Sequence, residues 1–142
     1  MKYLLDTCLL SELVKPAPAP AVLHWLQNQD ETQLFMAAIT LAELQRGAAQ
    51  LPHSRRRTEL DTWLANVQRQ FGDRVLAFTA DTASYWAPMC AQAQAKGQTM
   101  AAFDSLIAAT AVEHGLALAT RNMADFSTAP LVLVNPWESA TD

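Results

Sequence analysis

The chain has 142 residues, 51% of them hydrophobic, a formal net charge of −4 and a pI of about 5.2. That length suits one domain, expected over 1–142, with enough apolar residues to bury a core, and the acidic balance excludes a protein that grips nucleic acid by a broad basic face. Two cysteines, Cys8 and Cys90, are too few for a disulfide framework or a zinc site. With no leader pattern and no apolar run near the ~18 residues of a membrane span, they point to a reducing cytoplasm and no membrane.

In chain order, "KYLLD" (2–6) reads as a short buried strand and "TCLLSELV" as a short helix. "KPAPAPA" interrupts regular structure, because repeated Pro removes donors and fixes φ. Pro20 opens the next helix, "AVLHWLQNQ", and "TQLFMA" (32–37) is the second strand. "TLAELQRGAAQL" (40–51) is a helix, and "SRRRTELDTWLANVQRQF" (54–71) another, with Leu60, Trp63, Leu64 and Val67 at helical spacing. "RVLAF" is the third strand. The helix "DTASYWAPMCAQAQA" (81–95) carries Pro88 inside it, which predicts a kink or a break. "AAFDSLIAATAVEHG" (101–115) is a very apolar helix stopped by Gly115, followed by strands "LALAT" and "LVLV" (131–134) and a polar ending, "ESATD". Strands alternating with helices imply an α/β domain with a mainly parallel sheet of five strands.

In open α/β sheets, ligands bind beyond the carboxyl ends of the strands. Asp6 closes the first strand there. Glu43 follows the second, Asn122 and Asp125 follow the fourth, and Asp104 interrupts an apolar stretch. Each has a local explanation. Asp6 suits a helix N-cap. "TLAE" (40–43) matches a capping box, with Glu43 reaching back to the cap. Asp104 complements a helix dipole, and Asp125 suits a turn. As a set they suggest a shared pocket. Carboxylates brought together without partners take up protons or recruit a cation. A hard divalent cation such as Mg²⁺ uses one or two carboxylates, keeps several waters and leaves room for phosphate oxygens.

"LLDTCLLSEL", "AAITLAELQRG", "AAFDSLIAATAVEHG", "ATRNMADF" and "VNPW", in that order over nearly the whole chain, resemble the PIN-domain family. They look most like the VapC-type ribonuclease toxins of bacterial toxin–antitoxin pairs. The resemblance implies a three-layer α/β/α sandwich with strand order 3-2-1-4-5 and an acid cluster holding Mg²⁺, with Mn²⁺ as a substitute. By motif the metal ligands are Asp6, Asp104 and Glu43, and Thr7 matches the small hydroxyl beside the first acid. Some relatives carry Asp where Asn122 stands, so either Asn122 or Asp125 completes the catalytic set. The implied activity is metal-dependent endoribonuclease cleavage leaving a 5′-phosphate and a 3′-hydroxyl. The implied partners are an RNA substrate, a small cognate antitoxin and a second copy of the chain. DNA is met only indirectly, through the antitoxin.

Arg55, Arg56 and Arg57 form the one basic run, either a grip on RNA or a solvated helix face. Arg46 and Arg121 are better placed to meet phosphate, or else pair with the acids. The three histidines share no spacing, the four tryptophans suit packing, and Cys8 lacks a neighbouring base and reads as buried filler. Two rivals remain: a non-catalytic PIN-like module binding RNA or protein, and an aspartyl-phosphate phosphatase. The latter normally has a second Asp two residues after the first, where this chain has Cys8.

Overall fold

A computed structural model describes residues 1–138; of the polar ending only Glu138 falls within it. In chain order the elements are β1 (Tyr3–Leu5), α1 (Thr7–Glu12), α2 (Pro20–Gln27), β2 (Leu34–Ala37), α3 (Ala38–Ala49), α4 (Arg55–Phe71), β3 (Val75–Leu76), α5 (Ala80–Ala95), α6 (Ala102–His114), β4 (Ala117–Ala119) and β5 (Leu133–Val134). Short 3₁₀ turns cover Glu31–Gln33, Gly72–Arg74 and Met123–Phe126. The sheet order is β3-β2-β1-β4-β5, and every pairing is parallel. Leu4 is in register with both Phe35 and Leu118.

The pleat divides the strand residues between two cores. Leu4, Ala37 and Leu118 join Met89 of α5 and Ile107, Ala108 and Ala111 of α6. Leu5, Met36 and Ala119 join Leu9 and Leu10 of α1, Val22 of α2, and Leu64 and Val67 of α4. Helices therefore cover both faces, giving the three-layer α/β/α sandwich expected. Each fully buried Leu or Ile contributes about 1.5–3 kcal/mol, and both faces of the central strand β1 are apolar for that reason.

Because all strands are parallel, their carboxyl ends share one edge of the sheet. The strand order reverses direction between β1 and β4, and a crevice forms beyond the strand ends at such a point. Asp6 leaves β1 there, and Thr120 leaves β4 beside it.

Two local expectations are corrected. The helix holding Glu43 begins at Ala38, directly off β2, with Ala37 as an N-cap that makes no side-chain cap bond. Thr40 and Glu43 thus lie inside the helix, and no capping box forms between them. A capping box exists instead at Thr79 and Thr82, at the start of α5. That helix runs unbroken through Pro88, so the expected break is absent. Met89 and Ala93 bury on the core beyond it, and the Trp86 indole donates to the Ser105 hydroxyl at 2.9 Å. Packing on α6 outweighs the one backbone bond that Pro88 cannot make.

Candidate active site

Asp6 continues the ladder past the last residue of β1: its N–H donates to the Ala119 carbonyl at 3.0 Å. This places its side chain at the entry to α1, where Oδ1 accepts the Thr7 backbone N–H at 2.8 Å. Oδ2 accepts the Thr120 hydroxyl at 2.7 Å and the Cys8 thiol at 3.4 Å. The N-cap role is real, and the carboxylate is buried and fixed from both sides. Thr120 is fully buried, and its hydroxyl also accepts the Asn122 N–H at 3.0 Å. It ties the loop after β4 to the acid after β1. Its position in "TRN" was visible in the sequence, but its role needed the strand pairing.

Glu43 projects from α3 and its Oε1 accepts the Thr7 hydroxyl at 2.8 Å; that hydroxyl also lies 3.1 Å from Thr40 Oγ1. A residue of α1 therefore orients an acid of α3. Asp104 sits in the first turn of α6, half-buried. Its carboxyl is pushed up from 3.8 to about 6, first by burial and then by the charges of Asp6, Asp125 and Glu43. Three acids from other parts of the chain, up to 98 positions away, thus act on Asp104.

Asp104 and Asp125 line a common cavity of about 400 Å³, together with Thr99, Met100, Ser127 and Thr128. Asn122 does not line it. Asn122 is exposed, and it acts through its backbone, donating to Thr120 and accepting the Asp125 N–H at 3.1 Å.

Among the described residues no ion pair joins any of these four acids to a basic side chain. Arg46 lies over the Phe103 ring, 5.3 Å from its centroid, and Arg121 over Trp137 at 5.6 Å. Neither neutralises the cluster. Arg56 and Arg57 donate to the carbonyls of Val14 and Leu51, so the basic run holds loops against α4. The Cys8 thiol is pushed up to about 11 by burial and the charge of Asp6, which keeps it protonated and unreactive.

The donor chemistry suits a hard divalent cation: carboxylate oxygens, an open polar cavity and no counter-ion among the described residues. In the same residues no three His, Cys, Asp or Glu side chains stand close enough to share one ion directly. An ion at this place would bind one or two carboxylates and retain water, as Mg²⁺ prefers.

The PIN domain family model matches residues 3–129. The chain is 42% identical over 137 residues to "VapC ribonuclease Y4jK" of Sinorhizobium fredii, covering 96% of this chain and 98% of that protein. The crystal structure of FitAcB from Neisseria gonorrhoeae superposes with a TM-score of 0.92 at 35% identity, covering 96% of this chain and 99% of that one. A toxin–antitoxin complex from Klebsiella pneumoniae superposes with a TM-score of 0.71 at 25% identity, covering 96% and 99%.

Proposed function

The chain belongs to the PIN-domain family, and from that premise we propose that it is a divalent-metal-dependent endoribonuclease, the toxin of a toxin–antitoxin pair. The whole of 1–142 serves as one nuclease domain. The observation that carries the reading is a set of four carboxylates at one place in the fold: Asp104 and Asp125 line the cavity, burial and then the charges of Asp6, Asp125 and Glu43 raise the proton affinity of Asp104, and no basic side chain among the described residues pairs with any of the four. The named relatives, a VapC ribonuclease and a toxin–antitoxin complex, support it.

Asp104 and Asp6 would hold Mg²⁺ or Mn²⁺, and Glu43 would reach the ion through water. When bound, the ion supplies Lewis acidity toward water and phosphate oxygens. Asp6 is held in one orientation by the Thr7 amide and the Thr120 hydroxyl. Thr7 aims one oxygen of Glu43 and leaves the other free to orient water. Asp125 closes the far side of the cavity shared with Asp104, and Asn122 shapes the loop that carries it. RNA enters where the acids open to solvent. A small antitoxin is the partner, working with the toxin in the cytoplasm; an Arg or Lys from it would pair with the acids in place of the ion. DNA is met through that partner, and the toxin acts as a homodimer.

The test is incubation of the purified chain, freed of any partner, with total cellular RNA. New 5′-phosphate ends should appear with Mg²⁺ or Mn²⁺, vanish with chelator and return when the ion is restored. Asp104→Asn should lack them. RNA binding without cleavage under every ion condition would favour a non-catalytic module instead.

A further inference from the structure

Helix α6 buries nearly every residue from Ser105 to Ala111, yet Phe103, immediately before Asp104, is 41% exposed. The core does not use this ring. Arg46, one turn beyond Glu43 on α3, lays its guanidinium 5.3 Å from the ring centroid and makes no ion pair among the described residues. Phe103, Arg46, Glu43, Ile39 and Ala42 bound a hollow of about 120 Å³. An aromatic face and an unneutralised cation therefore stand together at the rim of the acid cluster, one residue from Asp104 and three from Glu43.

We propose that Phe103 and Arg46 form a nucleotide subsite for the single-stranded RNA that the proposed ribonuclease cleaves. The ring stacks on the base beside the scissile phosphate, and the guanidinium meets an adjacent phosphate oxygen. Aromatic faces combined with cations are how single strands are held without sequence choice, because every base has a π-face. The hollow is small and its walls are largely apolar, so it offers face contact and little hydrogen-bonded reading of base edges. The cation also answers a charge problem: a chain of net charge −4 needs local positive potential where phosphate approaches. An apolar protein partner would not call for an arginine free of ion pairs beside an acid cluster.

The subsite rests on the ribonuclease reading, and the test separates the two. Steady-state cleavage of a labelled mixed-sequence RNA of about a dozen nucleotides is measured with Mg²⁺ for the native chain, Phe103→Ala, Phe103→Trp, Arg46→Ala and Arg46→Lys. Phe103→Ala should raise KM about tenfold, the loss expected when one base loses its stacking partner. Phe103→Trp should restore KM to near the native value. Arg46→Ala should raise KM and flatten its salt dependence, with Arg46→Lys recovering only part, since a point charge replaces a fork. In chelator, the same RNA carrying 4-thiouridine should photocrosslink to the peptide that holds Phe103. Native cleavage with unchanged KM in Phe103→Ala and Arg46→Ala, or crosslinks confined to other peptides, would overturn the subsite and leave the ribonuclease standing. A shift in oligomeric state with unchanged KM in Phe103→Ala would assign the ring to an interface between copies and overturn it likewise. No cleavage by the native chain would remove the ribonuclease reading and the subsite with it.

Discussion

Asp104 lies in the first turn of α6, where the helix dipole favours a negative charge, yet burial and three nearby acids push its carboxyl to about 6. The unfolded chain releases that proton near 3.8. Between those values the folded chain binds more protons than the unfolded one, so this group lowers stability as pH rises through the window, and the penalty persists above it. Metal-free Asp104→Asn should therefore melt a few degrees above the native chain at about pH 7, and the gap should close below about pH 4, as followed by circular dichroism across a pH series. Cleavage by the same variant should fall by more than about a hundredfold, beyond the loss typical of an outer-shell partner. Asp125 and Asn122 offer a second comparison. Because Asp125 shares the cavity with Asp104 and Asn122 contributes through its backbone, Asp125→Ala should lose far more activity than Asn122→Ala. The ratio of their cleavage rates checks it, and equal losses would remove Asp125 from the site.

At the scale of elements, the acids are arranged by contacts between helices and strand ends. Thr7 of α1 orients Glu43 of α3. Gln at position 43 keeps a carbonyl acceptor for that hydroxyl, so Glu43→Gln should unfold in urea within about 0.5 kcal/mol of the native chain while losing about tenfold or more in cleavage rate. Since Glu43 caps nothing, Glu43→Ala should also escape the ~1 kcal/mol penalty of a lost N-cap. Thr120 plays the matching part for Asp6. Thr120→Val preserves shape but leaves Oδ2 with only the thiol contact and the Asn122 N–H without its acceptor. Urea unfolding in chelator should show a loss of about 1.5–3 kcal/mol, the range for a hydrogen bond to a charged group. A loss near zero would mean that water replaces the hydroxyl.

For the whole molecule, a net charge of −4 and an acid cluster lacking basic partners among the described residues make site occupancy a competition among cations. An antitoxin side chain and Mg²⁺ would contend for the same carboxylates. Inhibition by the partner should weaken as Mg²⁺ is raised, read as a rising apparent inhibition constant in a cleavage titration. A constant independent of Mg²⁺ would place the inhibiting contact away from Asp6, Glu43 and Asp104.

Periodicity and strand–helix alternation determined the α/β class, the apolar faces and the limits of most elements, because those features depend on near neighbours along the chain. Pro20 opens α2, and Gly115 ends α6 in the left-handed conformation (φ 64°) that glycine adopts without strain. The family motifs named Asp6, Glu43 and Asp104 as the candidate site before any geometry was known. Other outcomes were decided by tertiary structure. The pattern "TLAE" suggested a cap, but β2 runs directly into α3 and the helix starts two residues earlier. Pro88 suggested a break, but packing against α6 carries α5 across it. The link from Thr120 to Asp6 and the pairing of Arg46 with Phe103 join residues 114 and 57 positions apart. Such contacts depend on parallel strand register and on how two helices dock, and local propensity carries no information about either.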